Sequence, residues 1–115
     1  MADFTVTLDP NTPSQSGPRD YVRDHTLNLT ASIDAGKTVE FVAKNSEFVL
    51  LIPDANDIFT NVNQDEVFRL DVGGTNTLTL KNPLSVLVQE YAVYCQSNTN
   101  FANNPGSSPP KIVVA

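Results

Sequence analysis

Few side chains in this 115-residue chain could do chemistry, and the reactive types are sparse. Cys95 is the only cysteine, His25 the only histidine and Met1 the only methionine. Cys95 could serve as a nucleophile or a soft metal ligand, and both roles need its thiol shifted toward thiolate by a nearby cation or metal. No Lys, Arg or His stands beside it in Tyr91-Ala92-Val93-Tyr94-Cys95-Gln96-Ser97. A second set of candidates is the oxygen-rich run Asp54, Asn56, Asp57, Asn61, Asn63, Asp65 and Glu66, which suits a hard cation such as calcium. An EF-hand loop begun at Asp54 would need glycine at its sixth position, where Phe59 stands, so that motif fails. Asp54, Asn56, Asp57 and Asp65 remain as candidates for a looser calcium site at a sheet edge, against the plainer reading of turn-forming residues in a solvated loop.

No nucleophile comes with a base. His25 has Asp24 beside it, but neighbouring strand residues point to opposite faces. The chain has neither a Gly-x-Ser-x-Gly elbow nor a phosphate-cradling glycine loop. Catalysis is not expected.

The elements that would position these residues read as strands. Phe4, Val6 and Leu8 alternate with Thr5 and Thr7, which predicts a first strand with one apolar face. Residues 9–20 hold three prolines and Gly17, too broken for a regular element, with Tyr21-Val22 as a short anchor in a long connection. Leu27, Leu29, Ala31 and Ile33 alternate with polar residues and predict a second strand. The turn signal Asp34-Ala35-Gly36-Lys37 then leads into Thr38–Ala43, as a hairpin or as a corner between sheets.

Phe48-Val49-Leu50-Leu51-Ile52 is a continuous apolar run, expected as a strand buried on both faces. Residues 53–65 are expected as an excursion loop with Ile58, Phe59 and Val62 turned inward. Strands over Val67–Val72 and Thr75–Leu80 follow, separated by Gly73-Gly74. Leu84–Cys95 is the longest β-like segment and Lys111–Val114 the last strand. With about seven to nine short strands and no convincing amphipathic helix, the expectation is an all-β Greek-key sandwich or barrel.

Length fits one domain over residues 1–115, of which 1–25 would be an N-terminal strand and loop. Thirteen acidic against seven basic residues give a net charge of −6. That surface repels phosphate backbones and anionic membranes, so nucleic acid is not expected as a partner. No apolar segment approaches the ~20 residues that span a bilayer, so membrane insertion is not expected. The start Met1-Ala2-Asp3-Phe4 lacks the charged and apolar regions of a secretory signal. A cytoplasmic protein, or an exported domain whose leader has been removed, is expected.

The C-terminal half resembles the cupredoxin family. The resemblance rests on Tyr91, four residues before Cys95, with Val93 and Tyr94 between them. A variable loop over residues 96–110 and the final strand Lys111–Val114 follow. Upstream, Asp34-Ala35-Gly36-Lys37-Thr38-Val39-Glu40-Phe41 looks like the family's glycine turn and Val-x-Phe strand, and Lys44-Asn45 holds the place of its Asn-containing turn. Residues 26–115 are covered. An immunoglobulin-like sandwich fits less well, because Val93 stands where its tyrosine would be and neither a tryptophan nor a second cysteine is present.

The resemblance implies a type 1 copper site, which needs two imidazoles and a thiolate, usually with an axial methionine. Near the first histidine position this chain has Ser46, Glu47, Phe48 and Val49, and after Cys95 it has Gln96, Ser97, Asn98, Thr99, Asn100 and Phe101. One histidine cannot supply two imidazoles from one chain. Cys95 is therefore expected as a vestigial ligand position and a packing residue, with no cofactor.

The expected function is a metal-free, non-catalytic binding or structural module that meets a protein or small ligand through loops gathered at one end. Asn45, Phe59, Tyr94, Asn98, Phe101 and Asn104 are its candidate contact residues. Two alternatives stand beside it. One is redox or copper handling by Cys95, with ligands completed by a partner or a dimer. The other is a calcium-assisted adhesion module.

Overall fold

The computed structural model describes residues 2–10, 21–22, 26–60, 62, 66–97, 99–102 and 109–115. His25, Asn61, Asn63, Asp65, Asn98 and Asn104 lie outside the described residues.

Burial alternates along most strands, as expected where one sheet face packs and the other meets water. In β1 (Phe4–Leu8) Val6 and Leu8 are buried, in β3 (Thr38–Ala43) Val39, Phe41 and Ala43, and in β7 (Thr75–Leu80) Leu78 and Leu80. With the two-residue β5 (Phe59–Thr60) these form one sheet in the order β1-β3-β7-β5, β1 lying parallel to β3. A second group has the order β10-β9-β4-β6, from β4 (Phe48–Leu51), β6 (Val67–Leu70), β9 (Ala92–Cys95) and β10 (Asn100–Phe101). A third, β2-β11-β8, holds β2 (Thr26–Leu29), β8 (Leu87–Glu90) and β11 (Lys111–Val114), with β2 parallel to β11. The inward residues of all three groups join in a single hydrophobic cluster. The molecule is an all-β sandwich.

The expected segment Leu84–Cys95 is split at Tyr91. Leu87–Glu90 pairs with β11, whereas Ala92–Cys95 pairs with β4, so one stretch of chain serves two groups of strands. This bend is a way for strands to turn a corner in a sandwich. This split and the two-residue strands β5 and β10 account for the eleven strands present among the described residues, rather than the seven to nine expected. The Tyr91 N–H donates to Pro110 O at 2.9 Å, and its ring meets Phe41 edge-on at 6.2 Å and 78°. Such pairs contribute about 0.5–1.5 kcal/mol beyond burial.

Two expectations are corrected. The second strand stops at Leu29, and Ala31–Asp34 forms one helical turn, α1. The cause is Asp34, whose carboxylate reaches back to accept the Thr30 N–H at 2.7 Å while Thr30 O accepts the Asp34 N–H at 2.8 Å. Ile33, the last residue of the apparent alternation, is exposed as a result. The second correction is β4, which is not buried on both faces. Phe48 and Leu50 are fully enclosed, but Val49 is half-buried and Leu51 is 42% exposed. The reading of β2 and β3 as a corner holds, since they lie in different sheets. The anchor Tyr21-Val22 is buried, with Val22 bridged to Leu8.

Asp34 also accepts from Lys37 Nζ at 3.1 Å. The Thr30 N–H first, then Lys37, outweigh burial and hold its carboxyl below the ordinary aspartate range. A depressed folded-state pKa adds stability that is complete above the unfolded value of about 3.9 and is lost as pH falls through the folded value. Asp34→Ala is therefore expected to lower the melting temperature at pH 7, with the gap to the parent protein narrowing as pH falls below the ordinary aspartate range. A gap independent of pH in a melting series would show that the carboxylate charge is not the cause.

Candidate functional site

Cys95 ends β9 with its side chain turned inward and fully buried. It lies opposite Phe48 in the β4–β9 ladder, so the loop entering β4 and the loop leaving β9 meet at the same end. Backbone and side-chain bonds join them: Gln96 N–H donates to Glu47 O at 3.0 Å, and Ser97 N–H donates to Ser46 Oγ at 3.0 Å. Asn45 shapes the first loop. Its φ of 62° is left-handed, a region Asn tolerates better than most residues. Its Nδ2 donates to Asp9 Oδ1 at 3.1 Å.

Ser46 is the polar centre of this end, only 3% exposed. Its Oγ donates to Glu47 O at 2.8 Å, which uses its single proton. Toward Cys95 Sγ, 3.8 Å away, Ser46 Oγ is therefore the acceptor, and the thiol donates. With the thiol proton so committed, Ser97 Oγ at 3.5 Å donates to the sulfur. The thiol thus lies between two hydroxyls, the buried Ser46 and the exposed Ser97. Among the described residues the bonds joining these groups involve no cationic side chain.

This donor set does not fit type 1 copper. The polar side chains bonded to the sulfur are two serine hydroxyls, poor ligands for a soft cupric–thiolate centre. Among the described residues no three His, Cys, Asp or Glu side chains gather as a metal-holding group.

The remaining candidates are scattered. Tyr94 is half-buried and Phe101 52% exposed, and their rings meet edge-on at 5.1 Å and 68° on the outer side of the β9–β10 hairpin. Phe59 is fully buried in β5. It belongs to the core, as expected for an inward residue, and cannot act as a surface anchor. Pro53–Phe59 also lies beyond the far end of β4 from Asn45, not with the Cys95 loops, because the strand itself separates the two. There Asp54, Asn56 and Asp57 line a recess of about 460 Å³ with Glu66, whose Oε2 accepts the Asp54 N–H at 2.9 Å. All four are exposed. A second recess of about 650 Å³ is lined by Asp57, Lys81, Asn82 and Ser85 among others.

Sequence reasoning missed the outward residues Val49, Leu51 and Val67, because the apolar run 48–52 suggested burial on both faces. The alternation Val67-Phe68-Arg69-Leu70, with Arg69 in the position facing water, was the signal that this sheet has a solvated side.

No protein-family model matches the chain, and neither does any curated protein sequence. Among solved structures it is similar to auracyanin from Roseiflexus castenholzii, at 12% identity over 97% of this chain and 95% of that one, with a TM-score of 0.48. An azurin from Methylomonas sp. strain J shares 16% identity over 96% of this chain and 95% of its own, at 0.46. A Cu(I) form of an amicyanin variant shares 14% over 99% and 85%, at 0.48. No residue role passes from them to this chain.

Removing the thiol should act through packing alone. Cys95→Ala is expected to cost about 1–2 kcal/mol, read from denaturant unfolding. An aromatic disulfide reagent should label Cys95 in the folded protein only at the rate of unfolding. Fast labelling of the native state would contradict the enclosed sulfur.

Proposed function

We propose that this protein is a metal-free, cupredoxin-like sandwich that binds a partner or serves a structural role and catalyses nothing. The observation that carries the reading is the Ser46–Cys95–Ser97 contact, in which the thiol is buried and bonded to two hydroxyls. A lone histidine in the whole sequence supports it from the side of ligand supply. Contact with a partner would fall on the end where Asn45–Glu47 and Gln96–Ser97 are joined, since loops on a rigid scaffold are where binding residues are grafted.

Copper decides between this and thiol-centred metal or redox chemistry. Titrating Cu(II) into the protein at neutral pH should give no intense visible thiolate-to-copper band, and the melting temperature should stay within about 1 °C of the metal-free value. A strong band with a raised melting temperature, both lost in Cys95→Ala, would overturn the metal-free reading.

A further inference from the structure

The outward face of β10-β9-β4-β6 is unlike the solvated face of an ordinary sandwich sheet. The strand register sets Phe101, Tyr94, Val49 and Arg69 side by side in one row across it. Ala92, Leu51 and Val67 form the next row. On the other side Gln96 lies against Glu47, and the register carried one residue past Leu70 brings in Asp71. Phe101, Leu51 and Val67 are 52%, 42% and 53% exposed. Contiguous apolar side chains rimmed by polar ones mark a surface that associates.

We propose that this face is an interface between two copies of the chain, related by a two-fold axis running along the strands between β4 and β9. Such an axis reverses the strand order and keeps the rows. Arg69 then lies over Phe101 of the second copy, and Val49 over its Tyr94. Leu51 meets its Ala92, and Glu47 meets its Gln96. The cation at one edge finds an aromatic face at the other, twice by symmetry, and the carboxylate finds an amide donor. A two-fold axis crossing the strands would instead set Arg69 against Arg69 and Glu47 against Leu51, so the charges choose the first arrangement.

Four strands about 4.8 Å apart and five residues of about 3.4 Å rise give a face of about 19 by 17 Å, well under the roughly 800 Å² per partner of a stable interface. The dimer is therefore weak and reversible. Each copy carries −6, so added salt strengthens association by screening that repulsion. The inference is independent of what the end loops bind.

Sedimentation velocity from micromolar to millimolar protein, at low and at 0.5 M salt, reads the association; millimolar is the upper concentration and 0.5 M a working salt level of order several times physiological, about 0.15 M. A dimer favoured by concentration and salt is expected. Leu51→Lys, at an exposed position, should weaken it at least about tenfold with little change in melting temperature. Phe101→Ser should weaken it as well while also losing the ring pair with Tyr94, and Val88→Lys, on the β8 surface, should leave association unchanged. Facing sheets stack about 10 Å apart, beyond a disulfide's reach, so a short bis-maleimide tests the axis in a Cys95→Ala background. Mixed Arg69→Cys and Phe101→Cys chains should cross-link to each other far more than either does to itself. A monomer at every concentration and salt overturns the proposal, as does a dimer indifferent to Leu51→Lys. Self-links as abundant as mixed ones would overturn the axis.

Discussion

The sandwich depends on the chain changing sheets at Tyr91. Residues on either side of it belong to different ladders, and its own N–H carries the β8–β11 register one position further, to Pro110 O, before the chain leaves for β4. The ring at the same position fills the corner against Phe41 from the facing sheet. One residue thereby joins the end of the β8–β11 ladder to the start of the β4–β9 ladder, whose register places Cys95 opposite Phe48. A bend of this kind has no polar slack, because a buried N–H without an acceptor costs about 1–3 kcal/mol.

Much of this was legible in the sequence. Alternation placed β1, β3, β7 and β11, and the tyrosine–cysteine spacing located the strand and loop that form the candidate site. Two kinds of information were not local. The alternation Leu27-Leu29-Ala31-Ile33 is equally good over its whole length, and only the Asp34 carboxylate bonding to Thr30 decides that the chain curls after Leu29. The run Phe48–Ile52 has no polar residue to say which face meets water; the register with its partners β6 and β9, which are far away in sequence, and the exposure of Leu51 settle that.

The candidate site shows the same division. Counting histidines required no structure, and it showed that one chain cannot supply the two imidazoles that the spacing suggested. That Ser46 and Ser97 would converge on the thiol could not be read from 49 and two residues of separation respectively; it follows from the register of β4 against β9. The oxygen-rich loop behaves in the opposite way. It looked concentrated in sequence, yet Asp54, Asn56 and Asp57 line an open recess at the far end of β4, where their side chains face water.

The bonds from Gln96 to Glu47 and from Ser97 to Ser46 have a thermodynamic consequence for recognition. Residues 46–47 and 96–97 are already fastened to each other before any ligand arrives, so little ordering entropy remains to oppose binding at those four residues. A ligand there would meet a fixed shape, and even modest contacts would be reflected in affinity. The same fastening makes the two loops a single mechanical unit: a substitution that shifts residues 45–47 is transmitted to 96–97 through Ser46, and the surface would be expected to evolve as one piece.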